Sequence, residues 1–360
     1  MAIYLVIYSI FFLFSTFNVF VSGRRKSVIL FLMGILGLTM IVFAGIRWET
    51  GTDWPQYHYY YKTIEQRIWG LSGMEIGYEV LVRTVKALTN TDETPFLFFC
   101  ASFIVFFTYT SLYKLSPFPL FSLFLLISYS VVGSGFGVRQ DLSIALTFFS
   151  IIFITERSPF KFFATVLTAA LIHNSAVMFL PAYFLYTFKW NTVKVVVVLI
   201  GVIFCVLMSE RLIITLGPLI SAHKTEHYME MGLIAVRADN PYVALLKGLS
   251  GRFLFLMICI GFVNYKSDGN SHYNGIFNIY ITGIIMYIIF TPINLVFSRL
   301  ARPYDICQIL IIPMAYSLAN RTQKIIIISI IVAFSFFKFY TTLSGSEDGS
   351  LIPYRTIFDS

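Results

Sequence analysis

The chain has 360 residues, of which 58% are hydrophobic and only 12% charged, with a mean hydropathy of +0.79. A soluble protein needs charge over its surface, so this composition points to a polytopic membrane protein and excludes a soluble globular enzyme. The net charge of +8 is scattered along the chain, with no basic tract of the kind that binds nucleic acid.

A membrane span takes about 20 apolar residues, with shorter ones tolerated. Segments of this kind fall near Ala2–Val21, Val28–Ile46, Pro95–Tyr113, Phe118–Gly133, Arg139–Thr155, Phe160–Phe188, Val193–Ser209, Gly251–Tyr265, Gly275–Thr291, Tyr304–Ala319 and Ile325–Tyr340. They predict an all-α polytopic membrane protein, a single membrane domain of about 10–12 transmembrane segments over residues 1–360. The first run has no positive n-region and no small-residue cleavage site, so it reads as a retained helix. Four cysteines, Cys100, Cys205, Cys259 and Cys307, sit one each in apolar segments and read as small buried residues.

Orientation follows from Lys and Arg in the short loops. Arg24-Arg25-Lys26, Lys114, Arg157 with Lys161, Lys189 with Lys194, Lys266, and Arg321 with Lys324 all lie in the cytoplasm if both termini lie outside. Phe160–Phe188 then carries cytoplasmic charge at both ends, and reads as a helical hairpin turning around Ile172-His173-Asn174-Ser175. A broken helix of this kind is tolerated only where protein or a water-filled cavity surrounds the break.

The same assignment puts three longer stretches outside: loops at about 47–94 and 210–250, and the tail 341–360. The second loop holds its own polar cluster of His223, Lys224, Glu226, His227, Arg237 and Asp239. In the first, Met74–Leu88 alternates Ile76, Val80, Leu81, Val85 and Leu88 with Glu79, Arg83 and Lys86, the pattern of an amphipathic helix lying on the bilayer.

The stretch Ala44 to Tyr61 is unlike the apolar run before it. It brings Arg47, Glu49, Gly51, Asp53 and Pro55 together with Trp48, Trp54 and Tyr57 to Tyr61. A guanidinium suits a phosphate, and flat aromatic faces beside hydrogen-bonding groups suit sugar rings. Trp and Tyr also gather at membrane interfaces merely because their rings are amphipathic, but that explains neither Arg47, Gly51 nor Asp53.

Five arginines, Arg47, Arg139, Arg252, Arg299 and Arg302, sit near the outer ends of predicted helices, against the orientation rule. Each either pairs with an acid such as Glu49, Asp53, Asp141 or Asp305, or joins the others around an anionic ligand. Gly135-Phe-Gly-Val-Arg-Gln140 opens a helix, so backbone donors and the positive end of the dipole lie beside Arg139. His173 falls at the predicted hairpin tip, either a satisfied structural histidine or a titratable group of the site.

Taken in order, these strings resemble the EpsG-like branch of the Wzy polysaccharide polymerases. The match runs through Arg47 with Gly51-Thr52-Asp53 and the following tyrosines, Arg139-Gln140, His173 with Ser175, the segment Arg299 to Tyr304, and Ile352-Pro353-Tyr354. The resemblance implies a bacterial inner-membrane enzyme with a GT-C-like helical fold and a site facing the periplasm. It also implies the reaction, transfer of a growing glycan from undecaprenyl diphosphate to an incoming lipid-linked repeat unit. Partners would be the undecaprenyl-diphosphate-linked oligosaccharide and membrane lipids, with a chain-length regulator as a further candidate. Arg47, Arg139, Gln140, Arg299 and Arg302 would then hold the diphosphate and stabilise charge on the leaving group. Asp53 or His173 would be the base, and Trp54, Tyr57, Tyr60, Ser175 and Tyr354 would meet the sugars. No DxD-type acidic pair stands in the chain, so neither a metal cofactor nor a nucleotide-sugar donor is expected. A flippase for the same lipid, a glycan ligase, and an acyltransferase using His173 are the rival readings.

Overall fold

The computed structural model describes residues 1–20, 26–51, 53–89, 92–130, 137–208, 211, 241–262, 271–292, 297–345 and 350–359. The polar cluster between His223 and Asp239, Thr52, and the Gly135-Phe136 pair lie outside the described residues.

The chain is an all-α polytopic membrane protein. Among the described residues six helices are long and apolar enough to cross a bilayer, and four shorter apolar helical stretches accompany them. In order the first are α1 (Ala2–Phe20), α2 (Lys26–Gly45), α3 (Trp54–Thr63), α4 (Ile76–Thr89), α5 (Thr94–Leu115), α6 (Pro119–Ser130), α7 (Arg139–Thr155) and α8 (Pro159–Ile172). A two-residue strand β1 (Arg47–Trp48) follows α2, and pairs with β2 (Arg355–Thr356) near the C-terminus. Proline stands just inside α3, α5 and α8, where its missing N–H costs nothing. The last helix, Arg321–Ser344, opens with a capping box between Asn320 and Gln323.

By its internal contacts the chain divides into two compact units, Met1–Val177 with Tyr316–Ser360, and Met178–Ala315. In the first, α7 is the central helix. Leu142, Ala145, Phe148, Ile151 and Ile154 are all buried, as are Ser143, Thr147 and Ser150. The last two hydroxyls return to backbone carbonyls of their own helix. Such small hydroxyl residues let α5 and α8 both pack closely against α7.

One end of the first unit gathers the start of α1, the end of α2, the starts of α5 and α7 and the end of α8. Tyr4 at the head of α1 donates to the Leu351 carbonyl at 2.7 Å. The Tyr354 hydroxyl donates to the Phe43 carbonyl near the end of α2, and Glu75 links Arg139 to the Asn174 N–H just beyond α8. At the opposite end, Asn18 accepts from the Leu120 N–H at the start of α6.

α8 ends where the sequence predicts. His173 is extended (φ −151°, ψ 120°), and its N–H closes the last turn onto Ala169. The second arm is shorter than a full span: a 3-10 stretch Asn174–Phe179 and one turn, Ala182–Leu185. Residues 241–250 are helical instead of the end of a loop, since the helix Pro241–Phe262 carries its apolar residues back to Val243, Leu246 and Leu249. Arg252 therefore sits inside a helix, and not at its end.

α4 corrects a second expectation. It buries Tyr78, Val82 and Val85 in the unit's core against α5 and α8, and leaves Ile76, Val80 and Leu88 exposed. Glu79, read as part of the polar face, is fully buried. Its carboxylate accepts from Ser72 Oγ (2.7 Å), Arg83 Nε (2.9 Å) and the Gly70 N–H. Burial pushes this carboxyl up, but the donors from Ser72, Arg83 and Gly70 together hold it below the ordinary carboxylate range. The folded pKa is thus lower than the unfolded one, so the stabilisation is complete above the unfolded value and lost as pH falls through the folded value. Limited proteolysis at residues 67–73 should rise below about pH 4 and stay low at neutral pH. Glu79→Gln should produce the acid pattern at neutral pH.

Gly77 sets how closely α4 lies on α8. A Cβ there would stand 2.7 Å from the Leu171 carbonyl oxygen, which is backbone and cannot turn aside. Gly77→Ala must lift α4 and carry Glu75, two residues away, off its partners. The expected cost is about 1–3 kcal/mol in thermal unfolding of the solubilised protein. Gly34→Ala, where a Cβ meets nothing within 4 Å, should leave the unfolding temperature unchanged.

Candidate active site

Arg47 is buried on β1, at 4% exposure, where a two-residue ladder holds its backbone. Register pairs Arg47 with Thr356 and Trp48 with Arg355. On either side the Ile357 N–H donates to the Ile46 carbonyl (2.9 Å), and the Gly51 N–H to the Ser350 carbonyl (2.7 Å). The turn after β1 passes through positive φ at Glu49 (45°) and Gly51 (115°). Thr50 closes it, donating to the Trp48 carbonyl and accepting from the Arg355 N–H. Burial pushes the Arg47 pKa down from the ordinary guanidinium value, while Cys100, Tyr354, Asp141 and Glu93 nearby act the other way. These two acids supply the negative charge that a buried guanidinium needs.

Arg139 opens α7, whose N-cap Val138 offers no side-chain cap to the first turn. Its Nη1 donates to Glu75 Oε2 (2.8 Å) and touches Met74 Sδ (2.8 Å). The Tyr57 hydroxyl takes another of its contacts. Burial pushes the Tyr57 pKa up, and Arg139 opposes that rise. Asp141 acts electrostatically on both Tyr57 and Arg47, so the two arginines share one polar neighbourhood across β1, α3 and α7.

His173 enters from the break after α8. Its Nδ1 accepts from the Ser175 N–H (3.2 Å) and lies 2.8 Å from Ser175 Oγ. A backbone N–H can only donate, so Nδ1 holds a lone pair and the neutral ring carries its proton on Nε2. In this tautomer Nε2 carries the proton as a hydrogen-bond donor and Nδ1 the lone pair. Ser175, a candidate sugar contact, is buried and serves to fix this tautomer.

The remaining candidates separate by environment. Asp53 is exposed at the N-cap of α3 and makes no side-chain cap. Trp54 packs between Trp48 (5.1 Å, edge-on) and His58 (4.4 Å, stacked). Tyr60 is buried, with its hydroxyl on Ser72 in the Glu79 network. Tyr354 stacks on Phe43 at 4.6 Å, and so anchors the tail beside Arg47. Gln140 follows Arg139 in the first turn of α7.

Arg299 and Arg302 belong to the second unit, both exposed, on the 3-10 stretch Phe297–Ala301 and the short helix Arg302–Asp305. Arg252 of the same unit is held on three sides: its Nε and Nη2 both donate to Asp305, and its Nη1 donates to the Gly248 carbonyl. Its guanidinium also lies 3.7 Å from the Tyr287 ring centroid. Structural pairing thus accounts for Arg252.

Sequence reasoning missed Glu75, His58 and Glu93. Glu75 stood four residues before Glu79, at the helical spacing that puts both near one side, yet only Glu79 was counted with the polar face. His58 lay hidden in a run of tyrosines, and Glu93 in a loop some 35 residues away has no local signal linking it to either.

No curated protein and no solved structure matches the chain. A family model does, over residues 30–356, from α2 through to β2. That range takes in Arg47, the α3–α4 segment, Arg139, the His173 break and the tail strand, and the chain belongs to the EpsG family, whose role is of the polysaccharide-polymerase type.

Proposed function

We propose that this membrane protein is a glycosyltransferase that joins polyprenyl-diphosphate-linked oligosaccharide units, moving the growing chain from its carrier to the incoming unit. The work would take place at the periplasmic face of the bacterial inner membrane, with undecaprenyl diphosphate as carrier. The observation that supports this reading is a pair of largely buried guanidiniums, Arg47 on β1 and Arg139 at the start of α7, that both have Asp141 in their electrostatic surroundings, Arg139 through Tyr57.

A leaving diphosphate gathers negative charge as the glycosidic bond to it breaks. Two positioned guanidiniums stabilise that charge. Glu75 holds Arg139 in a fixed orientation before substrate arrives, which reduces the reorganisation needed at the moment of transfer. His173 then supplies an Nε2–H donor to a phosphate or sugar oxygen at the break after α8.

The test is reconstitution of the protein in lipid nanodiscs with the lipid-linked unit alone, without nucleotide sugar and with a metal chelator. A ladder of whole repeat units is the expected product. Transfer of the lipid between leaflets of a sealed vesicle, without a ladder, would replace this reading with transport.

A further inference from the structure

Every transfer of this kind must take a proton from the acceptor hydroxyl. His173 carries its proton on Nε2, and Asp53 is an exposed carboxylate on a helix cap. A third group has the arrangement that a general base needs. His58, on α3, places Nδ1 3.0 Å from Oε1 of Glu93, the residue that precedes α5. Both atoms are buried, and among the described residues this contact is the one polar approach either atom makes, close in distance without being aligned as a hydrogen bond. The ring is held flat against Trp54 (4.4 Å, 18° between planes), with Trp48 edge-on at 5.6 Å. His58 nevertheless keeps 20% of its side chain exposed. With Nδ1 buried, that exposure lies on its other atoms.

We infer that His58 is the general base of the transfer, oriented by Glu93, with its Nε2 lone pair directed at the acceptor hydroxyl. This rests on the polymerase reading above. A carboxylate at Nδ1 holds the proton there and leaves Nε2 as the basic nitrogen, the reverse of the state at His173. Burial pushes the Glu93 carboxyl up, and His58 and Arg47 pull it back toward the anion. The place also fits. Trp48, edge-on to His58, adjoins Arg47 in sequence, and Glu93 acts on both Arg47 and His58, so the base stands near Arg47.

The step balances. The acceptor O–H bond breaks and its proton goes to Nε2, while the oxygen forms a bond to the anomeric carbon of the donor. The bond from that carbon to the diphosphate oxygen breaks, and its electron pair leaves with the diphosphate between Arg47 and Arg139. The imidazolium, stabilised by Glu93, then gives its proton to water.

Two measurements test this. The first is the nitrogen NMR spectrum of isotope-labelled histidine in the intact protein, with His58→Gln and His173→Gln used to assign the signals. The expected result is opposite tautomers for the neutral rings: proton on Nδ1 at His58, and on Nε2 at His173. A proton on Nε2 of His58 overturns the proposal whether or not the protein polymerises. The second is the polymerisation rate. His58→Gln should lower it by roughly 10²–10⁴-fold with the protein still in the membrane, and added imidazole should restore rate to His58→Ala but not to Arg139→Ala. A wild-type ladder together with an undiminished His58→Gln rate would remove His58 as base and leave the polymerase reading standing. Absence of a ladder from the wild type under the same conditions would remove that reading itself.

Discussion

Arg139→Ala is expected to abolish polymer while the protein remains in the membrane. The argument starts from position. Arg139 is the first residue of α7, so its guanidinium lies beside a helix terminus whose first amides have no side-chain cap. Glu75 Oε2 and the Tyr57 hydroxyl fix its orientation, and its side chain keeps 20% exposure. Losing one preorganised donor of this kind typically costs about 10²–10³ in rate. The substitution also leaves Glu75, at 8% side-chain exposure, without its cation, at a cost of about 3–5 kcal/mol for a buried partner. Two further variants separate these effects. Arg139→Lys keeps the charge beside Glu75 but loses the planar fork, so it should fold like the wild type and polymerise slowly. The double variant Arg139→Ala with Glu75→Gln should regain stability without regaining activity. Ladder lengths and rates from the three proteins check this, and wild-type chain lengths in Arg139→Ala would remove the clamp from the account.

Removing residues 350–360 should cost as much activity as losing Arg47 itself. This tail touches the Arg47 segment at each step: Tyr354 on Phe43, Ile357 on Ile46, Thr356 opposite Arg47, Arg355 opposite Trp48, and Ser350 on Gly51. An ion pair between Arg355 and Glu49 closes the outer edge, but both partners are about half exposed and contribute little. What the tail supplies is a fixed backbone around a buried guanidinium. Without it, β1 has no partner strand and Arg47 loses its placement. The expected loss is about 10²–10³-fold, similar to Arg47→Ala. Because both changes act through one group, the combined variant should be no worse than either alone. A truncated protein that polymerises normally would show that Arg47 is placed by other means.

Much of this was legible in the sequence, and what escaped had a consistent character. Long apolar runs marked α1, α2 and α5 to within a residue or two, because the bilayer imposes a length on each span. The break at His173 was also legible, from the charges at both ends of a stretch too short for two spans. The amphipathic pattern of α4 was seen but misplaced. Periodicity shows that a helix has two faces, yet not that Glu79 belongs inside with Ser72 and Arg83. Tail pairing was invisible, since Tyr354 and Phe43 are 311 residues apart and a two-residue strand has no sequence signature. For Arg252 the sequence left pairing and ligand binding open with Asp305 among the available acids, and pairing with Asp305 is the outcome. The tautomer of His173 follows from a single backbone N–H, and the approach of Glu93 to His58 from a residue 35 positions away, details that no local string encodes.

The most direct test of the central claim is the amount of polyprenyl diphosphate set free for each glycosidic linkage formed. The purified protein in nanodiscs, given only lipid-linked repeat units, would be sampled over time for both products. Transfer from a diphosphate carrier clamped by Arg47 and Arg139 predicts one carrier released per linkage, with both falling together in Arg139→Ala. Linkages formed without carrier release, or carrier released without linkages, would contradict it.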